Sequence, residues 1–258
     1  MYLSKQWRES RILSGIAVLA LILLLFLAVK AGFAVDTVHV SNDNRDGFRM
    51  LFIPLFYIEA ILVAFWGWLA AGIGVGKNLG EESGSFLLTR PRRRAWFLWS
   101  DWGYAMVQIA AIIVLANLMI GFLLAHILGL LHRPESIQLA DHAQPISLFA
   151  IMALVSVGVL LFAGLIYGLT YFSTIVLRRA AGVMLGAGIL VAYLILRGLI
   201  AHYYPSVQLP NLIPNLFNFN HNSFYGLSNN IGWSLLARAA VMMAFPVAAQ
   251  FILDRSEI

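Results

Sequence analysis

The chain has 258 residues, of which 61% are hydrophobic and 11% charged, against about 45–50% and about 25% in ordinary soluble domains. That balance excludes a soluble globular protein and places the chain in a membrane. The formal net charge of +5 calls for no nucleic-acid partner, because basic residues beside membrane spans meet anionic lipid headgroups, and the absence of cysteine excludes disulfide and thiolate chemistry.

Six apolar stretches reach or approach the ~20 residues that cross ~30 Å of hydrocarbon as a helix. They cover 12–35, 50–76, 103–131, 146–177, 180–200 and 231–253. Runs of this length argue against the short alternating strands of a barrel. The expected fold is therefore all-α, a polytopic bundle of six transmembrane helices in one domain, 1–258.

The first span follows a basic segment and is too long for a cleaved signal, so it reads as a retained anchor. Placing the N-terminus inside puts Lys5, Arg8, Arg11, Lys77, Arg90, Arg92, Arg93, Arg94, Arg178, Arg179 and Arg255 on one side, and leaves Arg45, Arg49 and Arg133 on the other. The bias predicts both termini in the cytosol of a cell inner or plasma membrane.

Intramembrane ionisable residues are functional hypotheses by default, because a charge in hydrocarbon is costly. Glu59 falls about 14 Å below the outer end of the second span and Arg238 about 10 Å below that of the sixth. Lys30 and Arg197 occupy the outer parts of their spans, so the four form an expected cluster at one depth. One reading has Lys30 and Arg197 snorkelling outward while Glu59 pairs with Arg238 or another of these cations. The other makes the group an outer gate.

Gln108 and Asn117 are expected as interhelical hydrogen-bond partners, and the pairs Gly164 with Gly168 and Gly182 with Gly186 as close-packing sites. Pro246 predicts a kink or break in the last span. Segment 202–230, rich in Asn, Pro and aromatic residues and nearly free of charge, is expected at the outer interface.

Soluble-enzyme motifs fail one by one. "GIGVGKNLG" has Ala71 where a phosphate-binding loop needs its first glycine and Asn78 where it needs Ser or Thr, and it ends a membrane helix instead of following a strand. His39, His126, His132, His142, His202 and His221 show no H-E-x-x-H pairing. His132 and His142 flank Glu135 and Asp141, but solvated loop residues are the plain reading, so no metal and no catalytic residue is expected.

The connector after the second span, 77–102, is different. In "EESGSFLLTRPRRR", acidic Glu81 and Glu82 precede Gly84 and Ser85, an apolar stretch Phe86, Leu87 and Leu88, then Arg90, Pro91 and the basic Arg92, Arg93 and Arg94. Pro91 suits the first turn of a helix, after which Trp96, Trp99 and Trp102 recur every three residues and are expected to anchor the segment at the inner interface. The plain reading of the arginines alone is an anchor to anionic lipid.

This pattern resembles the loop between the second and third spans in permease subunits of ABC-type exporters, the type-two export class, with a shorter run from Gly84 to Pro91. The resemblance implies that Glu81 to Arg94 contact a separate cytosolic nucleotide-binding subunit carrying ATP and Mg, that this chain hydrolyses nothing, and that two permease chains associate as a homodimer or pseudo-dimer. The alternative from another class is a polytopic scaffold or assembly factor without transport activity.

Overall fold

The structure is a computed structural model and describes residues 11–12, 14–23, 26, 44–72, 91–127, 148–178, 181–203 and 230–255. All regular structure among them is helical: α1 (Ser14–Leu23), α2 (Asn44–Ala71), α3 (Pro91–Ile127), α4 (Leu148–Leu177), α5 (Gly182–Tyr203) and α6 (Asn230–Arg255).

Helix ends follow local chemistry. α3 starts at Pro91, whose missing N–H falls where no intrahelical bond would form and whose ring presets a helical φ. α2 closes as the Gly72 amide donates to the Leu69 carbonyl at 3.0 Å. α4 ends on Arg178, which takes the left-handed conformation at φ 51 while its amide reaches the Ile175 carbonyl at 3.2 Å, a helix-terminating geometry usually given to glycine. Pro246 leaves α6 unbroken from Asn230 to Arg255, although it deprives one carbonyl of a donor.

α4 is the central helix and packs against α2, α3, α5 and α6. It has no charged residue over its 30 positions, so it can be buried on several sides without stranding an ion. Its hydroxyls turn back on their own backbone: Ser156 donates to the Met152 carbonyl, Ser173 to Leu169 and Thr174 to Tyr171. Such bonds satisfy a hydroxyl where no water competes. The core joins α2, α3, α4 and α6 through residues such as Phe56, Ile109, Tyr167, Tyr171 and Ala249. The Tyr167 and Tyr171 rings stack at 5.4 Å.

Small residues set the helix approaches. A Cβ on Gly182 would enter the backbone of Thr174, and one on Gly186 would lie 2.9 Å from the Thr170 Cα, so α5 rests directly on α4. Gly164 and Gly168 receive Met242 and Phe245 of α6. Both expected pairs are thus packing sites.

Beyond these contacts α5 and α6 are largely exposed, with Met184, Ile195, Leu196, Val247 and Phe251 turned outward. In water such faces would drive aggregation. In a bilayer they meet hydrocarbon. Four helical segments among the described residues are long and apolar enough to cross it: Ala95–Gly121, Met152–Leu177, Gly182–Ile200 and Leu235–Arg255. Ser14–Leu23 and Leu55–Ala71 are shorter apolar helices.

Candidate functional site

The α2–α3 hairpin organises the site, because its connecting segment carries the most distinctive residues of the chain. Its helix ends meet the rest of the bundle at one level. Trp68 Nε1 donates to the Val183 carbonyl at 3.0 Å, joining the end of α2 to the start of α5. Tyr171 donates its hydroxyl to the Leu98 carbonyl at 3.4 Å, joining the start of α3 to the end of α4. Trp99 Nε1 donates to Gln250 Oε1 at 2.8 Å, bringing in the end of α6. One end of the bundle therefore collects the ends of α2, α4 and α6 and the starts of α3 and α5.

Lys77, Glu81, Glu82, Gly84, Ser85, Phe86, Leu87, Leu88 and Arg90 lie outside the described residues. Pro91, Arg92, Arg93 and Arg94 form the first turn of α3. That helix runs 37 residues without interruption, about 55 Å at 1.5 Å per residue, well beyond the ~30 Å of a hydrocarbon core. Leu98, one turn past the arginines, is fully buried, and Asp101 and Ala105 follow it into the interior.

The three tryptophans are divided among different surroundings. Trp96 is 56% exposed, whereas Trp99 and Trp102 are half-buried against the core, their rings meeting edge to face at 5.9 Å. Three-residue spacing falls short of a turn by about 60° each time, so Trp102 lies about 120° round the helix from Trp96. Trp96 has the exposure of a membrane-facing ring, while Trp99 and Trp102 tie α3 into the bundle.

Of the intramembrane charges, Lys30 lies outside the described residues. Glu59 is 0% exposed, and neither carboxylate oxygen has a hydrogen-bond partner among the described residues. Arg197 on α5 and Arg238 on α6 are half-buried. α2 and α6 both pack on α4 without a close approach to each other, so the structure does not bring Glu59 and Arg238 together. Depth along a span is readable from residue counting, whereas neighbourhood depends on the order of helices round α4.

Asn117 donates through Nδ2 to Ser156 Oγ at 2.7 Å, an interhelical bond from α3 to α4. Gln108 donates to the Tyr104 hydroxyl one turn away in its own helix at 2.9 Å. Among the described residues no group of three His, Asp or Glu side chains is placed to hold a metal. Sequence reading did not single out Asp101, buried in α3, or the buried indole nitrogens of Trp66 and Trp102, which have no partner among the described residues. An aspartate between two tryptophans on one helix was the available signal.

The fold and its outward apolar faces define a multi-pass helical membrane protein. Comparison of the chain with protein-family models, curated proteins and solved structures finds no match.

Proposed function

We propose that this chain is the membrane-spanning permease subunit of an ATP-driven exporter, with six spans and both termini in the cytosol of the inner or plasma membrane. A separate nucleotide-hydrolysing subunit docks on the segment from Glu81 to Arg94, and two permease chains assemble with two such subunits. The observation that carries this reading is the continuity of α3: one helix links the arginine-bearing first turn to side chains buried in the core.

A helix has no hinge unless proline, glycine or an inserted group supplies one. No proline or glycine lies between Arg92 and Asp101, ahead of Gly103, so force applied at Arg92 to Arg94 is delivered to Leu98 and Asp101 as motion of a rod, and through the Trp99–Gln250 bond to α6. The acidic start, Gly84–Ser85 pair and Pro-basic ending of the segment support a protein partner over a lipid anchor, because anionic headgroups attract the arginines and repel Glu81 and Glu82.

The test is co-expression with an ATPase encoded beside this chain, followed by purification and measurement of nucleotide hydrolysis. Glu82→Ala and Arg93→Ala are expected to weaken complex formation or to uncouple hydrolysis from transport. Unchanged assembly and unchanged stimulated hydrolysis in both variants would overturn the assignment.

A further inference from the structure

Five buried side-chain polar atoms have no hydrogen-bond partner among the described residues: both oxygens of Glu59, Trp66 Nε1, Trp102 Nε1 and Asn117 Oδ1. All five belong to α2 and α3. In a helical bundle such atoms are expected to be few and scattered, since each loses hydrogen bonds it would make in water. Their confinement to the two helices that flank the proposed docking segment calls for a physical cause.

Their heights follow from one contact. At Gly67 a Cβ would lie 3.4 Å from the Ala163 carbonyl and 3.6 Å from Ile109 Cδ1, so Gly67 and Ile109 are level. Eight residues from that contact, in the same direction along the bundle, come Glu59 on α2 and Asn117 on α3. Trp66 stands beside the contact, and Trp102 lies seven residues the other way along α3. From Trp102 to Asn117 is fifteen residues, about 22 Å of rise within a hydrocarbon core of ~30 Å.

Glu59 and Trp66, two turns apart, share a stripe of α2. A cavity of about 140 Å³ adjoins that stripe, lined by Leu62 and Trp66 of α2, Ile112 of α3 and Leu21 of α1.

We propose that the buried faces of α2 and α3 line a polar seam, a track reached by water when the bundle opens. The unmet atoms are a carboxyl and an amide oxygen at the Glu59–Asn117 level and indole donors further along, and a hydroxyl or water serves all of them. In the arrangement described here the seam is closed and its polar groups are desolvated. Opening hydrates them, so they bias the bundle toward parting where these faces of α2 and α3 are buried. Water access stands independently of the exporter reading; that the polar part of a substrate follows the same track rests on that reading.

The chain has no native cysteine, so single-cysteine variants of the full protein in membranes report access directly. The probe is a membrane-impermeant methanethiosulfonate sulfonate. Ala116→Cys and Asn117→Cys should react at least about tenfold faster than Ala249→Cys on α6, since thiol reactivity at buried positions follows solvent access. Ala116→Cys leaves every polar atom of the seam in place. Adding Glu59→Leu and Asn117→Leu to the Ala116→Cys chain should slow its labelling by about the same factor.

Labelling of Ala116→Cys no faster than that of Ala249→Cys, or labelling insensitive to the two leucines, overturns the track. Fast labelling in a chain that binds no ATPase leaves the track standing and removes the exporter reading. ATPase binding with an unlabelled seam does the reverse.

Discussion

Replacing Gly186 with alanine tests whether α5 is held to α4 by backbone proximity. The added Cβ would sit 2.9 Å from both Cα and Oγ1 of Thr170 and 3.2 Å from its Cβ, with no flexible chain end able to yield. Two residues on, Gly188 has nothing within 4 Å of the same position, so Gly188→Ala is the internal control. Both changes gain the same helix-propensity term, about 1 kcal/mol in favour of alanine. Only Gly186→Ala also forces the helices apart, at the ~1–3 kcal/mol typical of overpacking. Gly188→Ala should therefore be neutral or stabilising by up to ~1 kcal/mol, and Gly186→Ala should be less stable than it by ~1–3 kcal/mol. Reversible unfolding in mixed micelles of increasing denaturing-detergent fraction, followed by tryptophan fluorescence, measures that difference. Coincident transitions for the two variants would refute the claim that α5 rests on α4 through Gly186.

Trp99→Phe and Gln250→Ala should each lower stability by about 0.5–1.5 kcal/mol, and the double variant by less than their sum; strict additivity in the same titration would show that the 2.8 Å bond contributes nothing. Arg178→Gly should raise stability by about 0.5–1 kcal/mol, because the φ of 51 strains a side-chain-bearing residue and not glycine; an unchanged transition would deny that α4 ends in this conformation. Glu59→Leu should make the folded bundle more stable by about 1–3 kcal/mol through removal of a buried carboxyl without partners, and a clear loss of stability would mean that the carboxyl is paired in the folded protein.

Helices Leu148–Leu177, Gly182–Tyr203 and Asn230–Arg255 overlie the apolar stretches 146–177, 180–200 and 231–253. The third stretch, read from 103, lies within a helix that begins at Pro91, because hydropathy reports where side chains leave water and not where the backbone becomes helical. Pro91 was the better marker, since it speaks to φ and to the missing donor. The result matters for function: the arginines and the buried Leu98 and Asp101 belong to one helix. The residues that most nearly define the proposed docking segment, Glu81 to Arg90, lie outside the described residues, so their part in the site rests on sequence.

The polar side chains show where sequence reasoning stops. Asn117 was expected to bridge helices and does so to Ser156, because an amide in hydrocarbon needs a partner and any neighbouring helix offers one. Glu59 was expected to pair with Arg238 or another of the intramembrane cations, of which Lys30 lies outside the described residues, and counting along the spans gave Arg238 a similar depth. Depth is one coordinate of three, and α4 holds α2 and α6 away from each other. What remains is a fully buried carboxylate on α2, level with an amide oxygen on α3 and in line with a buried indole nitrogen. A protein that needed only stability would replace all three with apolar residues. Their presence on the two helices adjoining the charged segment, while the hydroxyls of Ser156, Ser173 and Thr174 on α4 are satisfied within it, places the cost where exposure of these faces to water would relieve it.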